Sequence, residues 1–177
     1  MKRLGREFFE RETGVVAREL LGKRLVVVSG GVKKTGIVSE TEAYLGEEDK
    51  ASHARFGVTK RNSVMWEKGG LVYVYLIYGM YWCLNVVAGW KGRAGAVLIR
   101  GVVPVENIDG KTDGPGKLTR EFGIDKSIHG EDVVRSKRIW FEEGKVPGKI
   151  IATPRVGVGY AGEWRNKKLR FLLGTGR

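Results

Sequence analysis

LVYVYLIYGMYWCLNVV, residues 71–87, decides how the chain is read. Four of the six tyrosines fall in the nine residues from Tyr73 to Tyr81, Trp82 follows at once, and no charge occurs between Lys68 and Lys91. The run is long enough to cross a bilayer. Three features oppose that use. Tyr and Trp belong at membrane interfaces, yet here they occupy the middle. Gly79 and Asn85 interrupt the run. Its β-branched and aromatic composition suits strands. The stretch therefore predicts a hairpin, with strands over 72–77 and 80–87 turning at Tyr78-Gly79. Side-chain alternation puts Tyr73, Tyr75 and Ile77 on one face and Val74 and Leu76 on the other. One row is core and the other is free to line a pocket. Tyr78 at the tip has little core to join, and between Ile77 and Met80 it has the form of a wedge for a base stack. A fully buried aromatic strand fits the same letters.

Outward from the hairpin, the pattern predicts more strands than helices. Phe8 and Phe9 lie in a short first helix. A second helix has Thr13 as N-cap and ends at Gly22, with Val16 and Leu20 buried. Strands are expected over 24–28 and 34–44, around a Ser29-Gly30-Gly31 turn, and over 94–103, where Pro104 ends the strand. A short helix follows Gly116 to about Phe122. Further strands are expected over 138–142, 149–153 and 168–173. Residues 45–70 read as a polar irregular loop short of core residues, and such loops are usually functional. The sum is an α+β fold: a single domain over 1–177, with a curved, mainly antiparallel sheet, flanking helices and a protruding hairpin.

Lys+Arg number 32 against 20 Asp+Glu, a net charge of +12. Such an excess favours a polyanionic partner, nucleic acid above all, with a solvated basic surface as the bland alternative. A single cysteine, Cys83, excludes an intrachain disulfide and suits a reducing compartment. Two histidines leave almost no room for a Cys/His zinc site. The N-terminal MKRLGREFFERETG has no signal-peptide apolar region.

Four segments carry candidate chemistry. In SETEAYLGEEDKASH, residues 39–53, alternation aims Glu40, Glu42 and Tyr44 the same way, as a pocket wall or as ordinary surface carboxylates. Asp49 and His53 have helical metal-ligand spacing but no evident third ligand. The hairpin is the second. In DGPGKLTREFGIDKS, residues 113–127, Gly-Pro-Gly-Lys before a helix leaves free backbone N–H groups beside Lys117, either a phosphate site or a plain glycine turn. In RVGVGYAGEW, residues 155–164, alternating glycines permit close backbone approach or a bulged edge.

Together these blocks, with VARELLGKRL, AVLIRGVVP and DGPGKL, resemble the alkyladenine (3-methyladenine) DNA glycosylase family, in order and over nearly the whole chain. The resemblance implies a monofunctional hydrolase of base-excision repair that flips damaged purines out of double-stranded DNA and leaves an abasic site. It implies Glu42 as the base activating water and Arg100 as the arginine beside that water. Tyr44, His53 and Tyr75 would surround the flipped base, Asn85 would reject the 2-amino group of guanine, and Val156 would edge the pocket. Tyr78, with Met80 beside it, would enter the minor groove. Arg55, Lys117 and Lys126 would contact phosphates. It implies no cofactor, no metal, no membrane partner and a monomer, cytoplasmic and nucleoid-associated in a prokaryote or nuclear in a eukaryote. Tyr160 stands where the family has a histidine, and Trp82 and Trp90 are bulkier than its pattern. The rival class is a non-catalytic module stacking unpaired bases on its tyrosines. A weaker third is a metal-dependent hydrolase using Glu42, Asp49 and His53.

Overall fold

The second strand organises the molecule. In the computed structural model, which describes residues 1–174, β2 (Val32–Tyr44) follows β1 (Arg24–Ser29) across a two-residue turn in which Gly30 and Gly31 have φ of 56° and 78°. Positive φ at both central positions is the geometry that joins twisted strands tightly. β2 then pairs antiparallel with β1 over its first half, with β8 (Arg170–Leu173) at Glu40, Thr41 and Glu42, and with β5 (Ala96–Glu106) along most of its length. β3 (Val72–Ile77), β4 (Tyr81–Val87), β6 (Ile139–Glu142) and β7 (Ile150–Thr153) complete an antiparallel sheet of eight strands, in the order β3-β4-β5-β2-β1-β6 with β8 and β7 branching from β2. The curved antiparallel sheet is the one expected from the sequence. The helices are short: α1 (Arg6–Phe9), α2 (Thr13–Glu19) and α3 (Pro115–Phe122).

Alternation divides the sheet into two faces. Val72, Val74, Leu84, Val86, Val97, Ile99 and Ala43 join one core cluster with Val16 and Ala17 of α2 and Leu118 and Phe122 of α3. The opposite face carries a rung across four strands, because Tyr73 pairs with Asn85, Asn85 with Leu98, and Leu98 with Glu42. One step along, Tyr75 lies opposite Cys83. The hairpin expected from the sequence is thus present, with Tyr73 and Tyr75 on the pocket face, Val72 and Val74 in the core, and Leu76, nearer the tip, exposed. No helix among the described residues is long and apolar enough to cross a membrane.

Several boundaries differ from the expectation. Glu12, not Thr13, occupies the N-cap of α2, because Thr13 Oγ1 donates instead to Ala88 O at 3.3 Å. That helix stops at Glu19, and Gly22 (φ 82°) lies beyond it, donating its N–H to Val38 O at 2.9 Å. Pro104 does not end β5, which runs to Glu106. Pro104 falls beside a bulge and beyond the residues that pair with β4, so its missing N–H interrupts nothing there. β4 begins at Tyr81, leaving Met80 in the turn. α3 begins at Pro115, whose absent N–H suits a first turn. Residues 45–70 are not bare loop. Two 3-10 turns, His53–Phe56 and Ser63–Trp66, help bury Ala54, Val64 and Met65 against Tyr73 and Ala96, in a small second core under the pocket face.

Candidate active site

A cavity of about 1010 Å³ opens on this second face, bordered by β3, β4, β5, the end of β2, the 51–53 turn and residues 156–160, and it continues past the hairpin to Leu76, Trp82 and the start of α3 on the other face. Glu42, Tyr44, His53, Tyr75, Asn85, Arg100 and Val156 all border it, as do Tyr78, Met80 and Lys117.

Glu42 is its most constrained group, with no solvent exposure. Oε1 accepts the Val156 N–H at 2.7 Å and Oε2 accepts the Tyr44 hydroxyl at 2.8 Å. Burial raises its pKa above the usual carboxylate value, against the opposing pull of Arg100, the Val156 N–H, the Tyr44 hydroxyl and Arg155. Arg100 Nε sits 3.7 Å from Glu42 Oε1 but donates to Glu40 Oε1 at 2.8 Å. Two bulges produce this placement. Val38 pairs with Val102 and Glu40 with Gly101, leaving Ser39 as an extra residue in β2, while Thr41 pairs with Ile99, leaving Arg100 as the extra residue in β5. Bulges re-aim side chains, and this pair sits beside the carboxylate.

The walls are aromatic. His53 Nδ1 bonds the Tyr73 hydroxyl at 2.8 Å, and the His53 ring meets Tyr75 edge-on with centroids 4.5 Å apart. Burial, then Arg61 and Arg55, lowers the His53 pKa to about 4, so the imidazole is neutral near pH 7. Burial likewise pushes Tyr73 up to about 12 and Cys83 up to about 11. Asn85 is buried on the same rung, and its Nδ2 donates to Tyr73 O at 3.2 Å and Cys83 O at 3.4 Å.

Tyr78 has φ 53° and is 84% exposed, and Gly79 follows at φ 67°. Left-handed backbone is uncommon for a bulky side chain. Met80 beside it is exposed and donates its N–H to Ile77 O at 3.2 Å, closing the turn. The phosphate candidates are more scattered. Lys117 stands at the cavity edge but pairs with Asp113 at 2.9 Å. Arg55 lies between the Phe56 and Tyr160 rings, 4.3 and 4.8 Å from their centroids, and does not border the cavity. Lys126, exposed in the Lys126–Ile128 turn, does not border it either.

Some working residues escaped the sequence reading. Asp49 is no metal ligand here. It is fully buried and forms a two-armed pair with Arg155, at 2.6 and 2.9 Å. Arg155 also donates to Ala43 O at 2.9 Å and lies 4.7 Å from the centroid of the Tyr44 ring. This pair locks the segment that brings the Val156 N–H to Glu42. Glu40 and Arg170 were likewise unassigned, and Arg170 Nε donates to Glu40 Oε1 at 2.6 Å. Only the alternation of Glu40 with Glu42 hinted at that cluster.

A sequence model of the family described as methylpurine-DNA glycosylase (MPG) matches residues 7–176. The chain belongs to this family. A relative in Legionella pneumophila (strain Corby) is 47% identical over 175 residues, covering 98% of this chain and 95% of that protein. Relatives in Anaeromyxobacter sp. (strain Fw109-5) and Desulfitobacterium hafniense (strain Y51) are 45% and 43% identical, covering 97% and 98% of this chain and 89% and 96% of theirs. All three carry the provisional name 3-methyladenine DNA glycosylase. Methylpurine-DNA glycosylases are hydrolases of the N-glycosidic bond, the enzyme class expected from the sequence blocks.

Proposed function

We propose that this chain, as one monomeric domain without cofactor or metal, flips alkylated or deaminated purines out of duplex DNA and hydrolyses their N-glycosidic bond, with Glu42 activating water, leaving an abasic site. The observation that carries the reading is a fully buried carboxylate, 3.7 Å from an arginine, in an aromatic-walled cavity with an exposed left-handed tyrosine at its rim.

The physical terms support it. Extracting a base from the stack costs a few kcal/mol. Stacking on Tyr44 and Tyr75 returns about 1–3 kcal/mol, and Tyr78 would fill the gap left in the duplex. A 3- or 7-alkylated purine is cationic, so aromatic faces hold it more strongly than a normal base. Such a base leaves readily, and one carboxylate then suffices. Ionised Glu42 takes a proton from water as its oxygen attacks C1′, and the negative charge stabilises the oxocarbenium-like transition state. The neutral imidazole of His53 adds no cation to repel an alkylated base. Asn85 would sit against the face where guanine carries its 2-amino group. The net charge of +12 supplies salt-sensitive, sequence-independent attraction to phosphate, to which Arg55, Lys117 and Lys126 would contribute.

The test is base release from methylated duplex DNA under single turnover. Glu42→Gln is expected to bind lesion DNA normally and to slow release by roughly a hundred-fold to ten-thousand-fold. Near-normal release by this variant would refute the assignment of Glu42. Absence of release by the wild type would instead favour a non-catalytic module that stacks unpaired bases.

A further inference from the structure

Two guanidinium groups from different strands converge on one carboxylate oxygen. Arg100 Nε of β5 donates to Glu40 Oε1 at 2.8 Å, and Arg170 Nε of β8 donates to the same oxygen at 2.6 Å. All three side chains are largely buried, with exposures of 16%, 16% and 26% for Glu40, Arg100 and Arg170. The next acid along β2 is Glu42, 3.7 Å from Arg100 Nε, a Coulombic contact but too long for a hydrogen bond. Arg100 Nε carries one hydrogen, and Glu40 takes it.

We infer that Glu40 is a positioning residue that, on the reading of Glu42 as the base, sets its strength by holding Arg100 back. With Glu42 ionised, Glu40, Glu42, Arg100 and Arg170 sum to no net charge. Without Glu40, the two guanidiniums would face one remaining anion, and Arg100 would close on Glu42. A tightly paired carboxylate is a weaker base, and its lone pairs are no longer free for water. Glu40 itself bonds the arginines of β5 and β8 and makes no bond to Glu42, so its effect is exerted through Arg100. The two opposed bulges, at Ser39 and Arg100, are what bring Arg100 within reach of both acids.

The other groups facing Glu42 are Tyr44 on β2, Tyr75 on β3, Cys83 on β4, and Arg155 with the Val156 N–H on the 155–158 segment. Burial raises Tyr44 and Tyr75, and pushes Cys83 up to about 11, so none of these loses a proton between pH 5 and 8. Arg155 is occupied by Asp49.

The inference predicts shifts of opposite sign in two variants. Removing the Glu40 charge and releasing Arg100 both favour ionised Glu42. The acid limb of the pH–rate profile of Glu40→Gln therefore moves down by roughly one pH unit, and its plateau falls up to about ten-fold as the base weakens. Arg170→Gln removes a cation and leaves Glu40 to Arg100 alone, so its limb moves up. Glu40→Asp restores the wild-type limb in part. The assay is single-turnover release of 7-methylguanine from duplex DNA between pH 5 and 8, since this cationic base needs no proton to leave. Opposite shifts support the inference. A loss of rate in Glu40→Gln without a shift, or shifts of one sign in both variants, overturns it. If Glu40→Gln does not fold, the direction of the Arg170→Gln limb decides alone: upward supports, and unchanged or downward overturns. Glu42→Gln is run in parallel. Its retention of activity would remove the reading of Glu42 as base, an outcome separate from either result at Glu40.

Discussion

Asp49→Ala tests whether the buried ion pair holds the second wall of the site. Asp49 accepts four hydrogen bonds: Leu45 N at 3.0 Å, Ala51 N at 3.0 Å, and Arg155 Nη1 and Nη2 at 2.6 and 2.9 Å. Truncation removes all four and leaves a guanidinium with a fully buried side chain. Arg155 Nε already lacks a partner among the described residues, so that group has little bonding in reserve. Breaking a buried pair from one side costs about 3–5 kcal/mol, and two orphaned backbone donors push the cost to the upper end. For a chain of this size each kcal/mol moves Tm by about 2–4 °C, so a fall of about 6–20 °C is expected. Urea unfolding should show a lower midpoint at an unchanged m-value. The double variant Asp49→Leu with Arg155→Met, which leaves no uncompensated charge, should recover about 2 kcal/mol or more. Its excision rate should stay low, because the Val156 N–H is no longer held on Glu42. A cost below about 1 kcal/mol for Asp49→Ala would show that the pair is not buried and rigid as described.

Two further perturbations separate function from stability. Tyr78→Gly relieves a left-handed residue and exposes no core, so it should stabilise the free protein by about 0.5–1 kcal/mol. It should also weaken binding to a lesion duplex by roughly ten-fold or more through lost stacking. Unfolding and gel-shift titrations measure the two effects, and unchanged affinity would argue against a wedge. His53, lowered to about 4 from the ordinary 6.5, should titrate near pH 4 by NMR. The sign follows from folding with the imidazole neutral. Its contribution is complete above pH 6.5, fades as pH falls, and is gone once pH passes through about 4. His53→Gln should therefore blunt the loss of stability between pH 6.5 and 4, and a titration midpoint near 6.5 would contradict the burial of the imidazole beside Arg61 and Arg55.

The hairpin was legible because its signals are local. Alternation separates Tyr73 and Tyr75 from Val72 and Val74 without knowledge of any other strand, and Tyr78-Gly79 marks its own turn. The pairing of Glu42 with Tyr44 came from the same rule. The pairing of Asp49 leaves no trace in the sequence because its partner lies 106 residues away, and nothing in GEEDKASH distinguishes a buried acid from a surface one. Residues 45–70 looked coreless because their small core needs Tyr73 and Ala96 to complete it. Pro104 reads as a terminator because strand rules carry no information on which edge of a strand is left unpaired. Glu40 appeared ordinary because its two partners arrive from β5 and β8, and the bulges that aim one of them leave no mark in composition.

The rung from Tyr73 through Asn85 and Leu98 to Glu42 has a consequence for how such a site can vary. The backbone hydrogen bonds that set its spacing are shared with the main core, but its side chains are not; Tyr73 packs instead in the small second core. A substitution at 75, 83 or 85 rewrites the cavity-facing surface and leaves the Val72, Val74, Leu84 and Val86 layer intact. A one-residue insertion in β3 or β4 would exchange the two layers, burying tyrosines among aliphatics and turning valines into the cavity. The cavity lining can therefore vary by point substitution along these strands, whereas changes in their length are closed to it.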